Sequence, residues 1–392
     1  MSIQRPIYLD CNATTPVSPE VMAKMLPFFT EYFGNPSSLN HSYGWEAEAG
    51  VEQAREILAG AIAAEPNEII FTSGATEANN LAIKGVAEAY MNEGKHIVTV
   101  QTEHSAVLAP CRYLEKLGFS VTYLPVQPDG ILNLQKLENA LQDDTILVSV
   151  MAANNEIGVL QPIEKIGEIC RASNILFHTD AAQALGKIPL HVQTMHIDLL
   201  SMTAHKLYGP KGIGALYVRR KHPRVQLAPQ LHGGDQEKGL RSGTLYTPQI
   251  VGFGEAVRIA IGEIDSEAKR IGGLRDRLWK QLSELPGIHL NGHLTQRLPN
   301  NLNVSIEGVK GNALLSGLRE AIALSSGSAC SSKNPTPSHV IKALGRSDHL
   351  ASATLRFGVG QNTTPMEIEQ SAKIIREIVK RLRASSNMSQ HC

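Results

Sequence analysis

Short apolar runs alternate along the chain with longer stretches whose apolar positions recur at helical spacing. The runs at 7–10, 68–72, 96–100, 121–124, 145–151, 175–179, 197–201 and 213–218 read as strands. Helical spacing covers 45–63, 78–90, a stretch closing at 113–118, and 163–172. Ser18 with Pro19 opens an earlier helix as cap and first helical residue. Each strand is followed by a polar loop and then a helix, which predicts an α/β fold with a mostly parallel sheet, right-handed crossovers and flanking helices.

Beyond Val218 the pattern changes. Residues 232–244 form a Gly-rich polar segment, and 254–285 reads as one long helix bridging into a smaller α+β domain. Strands are expected there at 303–306 and 321–325. The last helix opens on a capping box, Thr364 to Glu367 with Pro365 at its first position, and carries the stripe Ile368, Ala372, Ile375, Val379 and Leu382. The polar tail 384–392 is expected to be disordered. The expected domains are 15–260, and 1–14 together with 261–392.

Composition narrows the class. A chain of 392 residues, 42% hydrophobic and 19% charged, suits a large soluble enzyme of about two domains. Lys+Arg and Asp+Glu number 37 each, so nothing argues for a nucleic-acid partner. The cluster Arg219, Arg220, Lys221, Arg224 reads as a solvated turn, the alternative being a dock for an acidic partner. The N-terminus lacks a secretory pattern and no apolar run reaches membrane-spanning length, so a cytoplasmic protein with no membrane association is expected. Cys11, Cys111, Cys170, Cys330 and Cys392 are odd in number and scattered without a CxxC pair, which indicates neither a disulfide framework nor a structural zinc site. Cys170 falls on a helical pattern and reads as core.

Candidate chemistry collects at strand ends. Lys206 lies on the connection between two strands, flanked by Thr203 and His205 and followed by Gly209, Pro210, Gly212 and Gly214. A lysine there is either a solvated loop residue or an amine able to bond an aldehyde. Ser73-Gly74-Ala75-Thr76-Glu77 joins a strand to a helix, which is either an ordinary capped start or an anion site on free N–H groups. His104, Asn155, Asp180, Gln183 and Lys206 all fall at or just past strand carboxyl ends, where such sheets bind ligands. Neither GxGxxG nor GxxxxGK[ST] follows a strand, which argues against dinucleotides and nucleoside triphosphates. An amine for an aldehyde, a helix start for a phosphate and Asp180 for a pyridine nitrogen together suit pyridoxal phosphate. His104 could cover the ring and Gln183 donate to its hydroxyl. Singly, Asp180 is equally a helix cap and His104 a satisfied core histidine.

The chain resembles the cysteine desulfurases of the NifS/IscS type, within the class V aminotransferase-like, fold-type I pyridoxal-phosphate family. The resemblance rests on Tyr8-Leu9-Asp10, Asn12-Ala13-Thr14-Thr15-Pro16, Gly34-Asn35-Pro36-Ser37-Ser38 and Phe71-Thr72-Ser73-Gly74-Ala75-Thr76-Glu77. It continues through Thr102-Glu103-His104, Asn154-Asn155-Glu156-Ile157-Gly158, His178-Thr179-Asp180-Ala181-Ala182-Gln183 and Ala204-His205-Lys206. Arg241-Ser242-Gly243-Thr244 and Ser325-Ser326-Gly327-Ser328-Ala329-Cys330 complete it. It implies Lys206 as the Schiff-base lysine and His104 as the stacking, acid–base histidine. It gives Asp180 and Gln183 to the ring, and Ala75, Thr76, Thr203 and His205 to the phosphate. Thr244 would reach the phosphate of the other subunit of a homodimer. Asn155 and Arg356 would grip the substrate carboxylate, a task suited to a planar guanidinium.

Cys330 lies among small polar residues before Lys333-Asn334-Pro335-Thr336-Pro337, which reads as a mobile loop. A thiolate there could take sulfur from L-cysteine, leaving alanine and a persulfide. The resemblance implies delivery to a sulfur acceptor or iron–sulfur scaffold, with no resident metal and at most a transient iron–sulfur contact at Cys330. Thr203 stands where relatives often carry Ser, Asp235 and Leu240 alter the Gly-rich segment, and the loop after Cys330 keeps the long form. A cysteine, cystine or selenocysteine lyase that does not use Cys330, and a docking scaffold with weak chemistry, remain as alternatives.

Overall fold

The computed structural model describes residues 5–326 and 337–388. Its strands are β1 (Ile7–Tyr8), β2 (Ile69–Thr72), β3 (His96–Val100), β4 (Ser120–Leu124), β5 (Thr145–Ser149) and β6 (Leu176–Asp180). They continue with β7 (Leu199–Thr203), β8 (Gly214–Val218), β9 (Ile288–Leu290), β10 (Asn301–Ile306), β11 (Ile322–Ala323) and β12 (Thr354–Gly358).

Seven strands form one sheet in the order β2-β8-β7-β6-β5-β3-β4. The run from β7 to β4 is parallel, as the alternation of strands and helices predicts, while β8 is antiparallel to both β7 and β2. The reason is the short connection between β7 and β8, which lacks the length that a parallel crossover needs. The sheet is therefore mixed, and Lys206 lies on its one long hairpin.

Neighbouring residues in these strands part to opposite faces. Phe71, Val98, Val148, Phe177 and Leu200 pack with the helices Ser42–Ala61, Ile163–Ala172 and Thr247–Gly262. Ile70, Ile97, Leu147, Leu176 and Leu199 pack on the other face with Ala75–Ala89 and Ser105–Lys116. Both faces are covered, which is why these strands read as continuous apolar runs. Cys170 is in the first of these cores as expected. A second core unites β10 and β12 with Leu9 and the helices Ile264–Leu282, Gly311–Leu318 and Pro365–Met388, whose stripe Ile368, Ala372, Ile375 and Val379 is buried.

Four expectations need correction. The stretch 254–285 is two helices, Thr247–Gly262 and Ile264–Leu282, meeting at Glu263 just after a weakly helical glycine. The final helix runs on to Met388, because residues 384–388 contain no breaker and Arg383 anchors the turn by donating to Glu307 O at 2.9 and 2.8 Å. Arg219 is no solvated turn residue: it is buried, pairs with Asp198 at 2.9 Å and donates to the main-chain oxygens of Val192 and Ile197. The helix expected from Ala78 begins at Ala75, with Gly74 as its N-cap. Among the described residues no helix is long and apolar enough to cross a membrane.

Candidate functional site

A cleft of about 600 Å³ opens at the carboxyl ends of the large sheet's strands, within the range of small-molecule sites. Ala75, Thr76, His104, Asn155, Asp180, Gln183, Thr203, His205, Lys206 and Arg356 all line it. Thr244 does not; it is exposed on the turn before the Thr247–Gly262 helix. Cys330 lies outside the described residues.

Lys206 ends a short 3-10 turn, Ala204–Lys206, directly after β7. The turn closes tightly, with Leu207 and Gly209 both donating to Ala204 O at 3.1 Å. A Cβ on Gly209 would lie 2.8 Å from that of Ala204, so only glycine permits this closure. The segment 12–15 then staples the turn from outside: Thr15 N donates to His205 O at 3.0 Å and Tyr208 N to Thr15 Oγ1 at 2.8 Å. Lys206 Nζ is thereby directed onto Asn12 O at 2.5 Å.

Asn12 also meets Gln183 as a reciprocal amide pair. Gln183 Nε2 donates to Asn12 O at 2.9 Å, and Asn12 Nδ2 donates to Gln183 Oε1 at 3.2 Å. Sequence reasoning gave Asn12 no role, since nothing local joins it to residues so distant in the chain. Lys187 adds a contact to Gln183 Oε1 at 3.4 Å, and its ammonium is pushed down to about 7, chiefly by burial and then by Lys206.

Asp180 closes β6, 7% exposed. Oδ1 accepts from Ala182 N at 2.9 Å and Oδ2 from Asn79 Nδ2 at 2.7 Å. His104 caps the Ser105–Lys116 helix, its Nδ1 accepting from Ala106 N at 3.1 Å. Neither local duty is the one its bland reading assigned: Asp180 holds a turn, since no helix follows it, and His104 is a half-buried helix cap instead of a core histidine; both still face the cleft. Burial lowers the His104 pKa; Asp180 opposes this, while Lys206 and His339 add to it, so the ring is neutral near pH 7.

Gly74 caps the Ala75–Ala89 helix without a side chain, leaving first-turn N–H groups to the cleft. Glu77 turns back, accepting from Ser73 N at 2.8 Å and from Arg241 Nε at 2.9 Å. Opposite this helix start lie Thr203, whose hydroxyl donates to Ile213 O at 3.3 Å, and His205, whose Nδ1 is 3.1 Å from Thr14 Oγ1. Burial, then Lys206, Lys211 and Lys187, push the His205 pKa down to about 4. Uncapped N–H groups, hydroxyls and nearby ammonium groups make this end of the cleft fit an anion.

Arg356 comes from outside the large sheet, on β12 at the edge of a three-stranded sheet of order β12-β10-β9. Its Nη1 donates to Asn155 O at 3.2 Å and its Nη2 pairs with Asp10 Oδ1 at 2.8 Å. Asn154 shapes this loop: its Oδ1 accepts from Glu156 N and Ile157 N at 2.9 and 3.0 Å. The three described cysteines are buried; Cys11 is pushed up to about 11 and Cys111 to about 12 by burial, so neither is a nucleophile at neutral pH.

Residues 7–370 match the model of the family described as aminotransferase class-V. A protein named cysteine desulfurase IscS from Aeromonas hydrophila is 56% identical over 383 residues, covering 97% of this chain and 94% of its own. A solved structure titled NIFS-like protein superposes with a TM-score of 0.89 at 40% identity, over 96% of this chain and all of its own. Another, titled SspA in complex with cysteine, gives a TM-score of 0.80 at 40% identity, over 90% of this chain and 98% of its own. A match through nearly the whole chain, on a fold whose strand ends gather the residues the family motifs mark, makes this chain a member of the aminotransferase class-V family.

Proposed function

We propose that this chain is a pyridoxal-phosphate-dependent cysteine desulfurase, converting L-cysteine to L-alanine and carrying the sulfur as a persulfide on Cys330. The observation that carries the reading is the cleft itself: the Lys206 amine, the uncapped Ala75–Ala89 helix start, the Asp180 carboxylate, the His104 imidazole and the Arg356 guanidinium all face a single space. That donor set fits the cofactor. Lys206 would hold its aldehyde carbon, and the Ala75–Thr76 helix start, Thr203 and His205 its phosphate. Asp180 would hold the ring nitrogen, Gln183 the ring hydroxyl, and His104 one ring face. Bound there, pyridoxal phosphate supplies an electron-accepting ring that stabilises negative charge at a substrate α-carbon.

The chain's own groups supply the rest. Arg356, with Asn155 beside it, grips the substrate carboxylate. The neutral His104 imidazole accepts or returns a proton. Cys330, as thiolate, attacks the substrate sulfur; the S–S bond forms as the C–S bond breaks, and the three-carbon product takes up a proton. The persulfide then passes to an acceptor or scaffold protein for iron–sulfur or other sulfur-cofactor assembly. A thiol carrier requires a reducing compartment, in keeping with the cytoplasm.

The active unit is read as a homodimer. Thr244 stands away from its own cleft, as a residue serving a second copy's phosphate would. Phe33 and Leu39, just before the Ser42–Ala61 helix, and Tyr43 and Trp45, at its start, expose more than half their surface, an apolar patch that a second copy would cover. The two domains are taken as 15–260, and 1–14 with 261–392.

Cys330→Ser tests the reading. Sulfide release from cysteine is expected to vanish while the cofactor stays bound, and wild-type protein exposed to cysteine should gain one sulfur on Cys330 by mass spectrometry. Undiminished release by the variant would instead favour a lyase that does not use this thiol.

A further inference from the structure

Asp10 has no part in the chemistry assigned above, yet it is the carboxylate against Arg356. Arg356 Nη2 to Asp10 Oδ1 measures 2.8 Å, with the arginine side chain 3% exposed and that of Asp10 18%. The other oxygen, Oδ2, accepts from Ser325 Oγ at 2.9 Å. Ser325 in turn accepts Arg356 N on its main-chain oxygen at 2.8 Å. Asp10 therefore spends one oxygen on the guanidinium and one on Ser325, which bridges to Arg356.

The backbone makes this placement rigid. Cys11 N donates to Gly358 O at 3.1 Å and Gly358 N to Leu9 O at 2.7 Å, which seats Asp10 beside β12. A Cβ on Gly358 would fall 2.5 Å from Asn12 N, so the approach exists only because that residue is glycine. Tyr8 adds a hydroxyl bond to Thr14 O at 2.8 Å across the same turn.

The contact is one-pronged. A carboxylate can take both prongs of a guanidinium fork, but here Asp10 takes one, Asn155 O takes another, and Arg356 Nε is buried with no partner among the described residues. A buried donor left open in a substrate cleft points to a ligand acceptor. We infer that Asp10 is a positioning residue for substrate-carboxylate recognition, holding the Arg356 guanidinium by one prong so that its open donors face an incoming amino acid. This rests on the assignment of Arg356 as the carboxylate grip.

The test compares two ligands of the holoenzyme, L-alanine and cysteamine, which has the amine and thiol of cysteine but no carboxylate. Dissociation constants are read from the change in cofactor absorbance. Asp10→Asn is expected to weaken L-alanine at least tenfold and cysteamine less than twofold, with Asp10→Glu recovering part of the loss. Ser325→Ala, which frees Oδ2 alone, should move L-alanine in the same direction by a smaller factor and stands in should Asp10→Asn not fold. Equal weakening of both ligands, or no change in L-alanine, overturns the inference. If Arg356→Ala itself leaves L-alanine binding intact, the assignment of Arg356 fails; if that variant behaves as expected and the Asp10 variants do not, the inference alone fails.

Discussion

Asn79 donates its side-chain amide to Asp180 Oδ2 at 2.7 Å, tying the helix that opens on the anion end of the cleft to the carboxyl end of β6. Asn79 is wholly buried. The bond therefore sets the Asp180 carboxylate relative to the helix start and not merely relative to its own strand. A cofactor with a phosphate at one end and a ring nitrogen at the other needs that spacing fixed.

Asp180→Asn should leave cofactor uptake largely intact, because the lysine and the anion end are unchanged. Turnover should fall on the order of a hundredfold, as when a preorganised electrostatic partner is removed. Among the described residues, Asn79→Ala leaves Asp180 with only the Ala182 N–H, and about a tenfold loss is expected, the value of one charge-assisted hydrogen bond. Steady-state kinetics on the holoenzymes decides both; equal activity of all three proteins would remove Asp180 from the chemistry.

Lys206→Ala should abolish attachment of the cofactor that borohydride makes permanent. A competing amine exists nearby, since Lys187 reaches Gln183 Oε1 and burial pushes its pKa down to about 7. Peptide mapping after reduction separates the two: label on Lys206 in the wild type and none in the variant is expected. Label persisting on Lys187 would transfer the role.

How much of this was legible in the sequence follows from what kind of signal each residue leaves. His104, Asp180 and Lys206 follow apolar runs, and in a doubly covered sheet the end of such a run marks the ligand edge, so periodicity alone finds them. Asp10 and Asn12 follow β1, only two residues long, whose partner β11 is over 300 residues away, with the register Ile7 to Ile322. Their duties arise from that long-range pairing and from the close approach at Gly358, neither of which has a local pattern. The antiparallel turn of β8 was implicit in the short connection after β7. The helical character of 384–388 was masked by polarity, which disfavours a core but does not stop a helix.

Glu237 was read only as part of a polar Gly-rich stretch, yet it is buried at φ 47° and pairs both oxygens with Arg55, at 2.7 and 3.0 Å. It also accepts from Phe71 N at 2.7 Å, and Arg55 donates to Ile69 O at 2.7 Å, so the pair stitches the 232–244 segment to β2. Glu237→Ala leaves the buried guanidinium with only the half-exposed Glu52, 2.9 Å from its Nε, as counter-charge, which costs about 3 kcal/mol. Chemical denaturation of the variant should show a loss of that size; a change under about 1 kcal/mol would mean water replaces the carboxylate.

Glu156 carries a pH dependence of opposite sign to that of an ordinary ion-paired acid. Burial raises its pKa from 4.5 to about 7, against the opposing Ser338 hydrogen bond and Arg356 charge. Ser338 Oγ donates to Glu156 Oε2 at 2.5 Å. Between these two pKa values the folded protein holds a proton that the unfolded chain has lost. The group's contribution to stability is therefore complete below pH 4.5 and lost as pH rises through 7. Glu156→Gln keeps the shape and removes the titration. Relative to the wild type, its unfolding free energy should improve on going from acid to neutral pH, by up to roughly 3 kcal/mol. Urea midpoints of both proteins across that range give the difference directly. A difference that stays flat with pH would mean that the carboxyl keeps its ordinary acidity and that Ser338 and Arg356 hold it ionised.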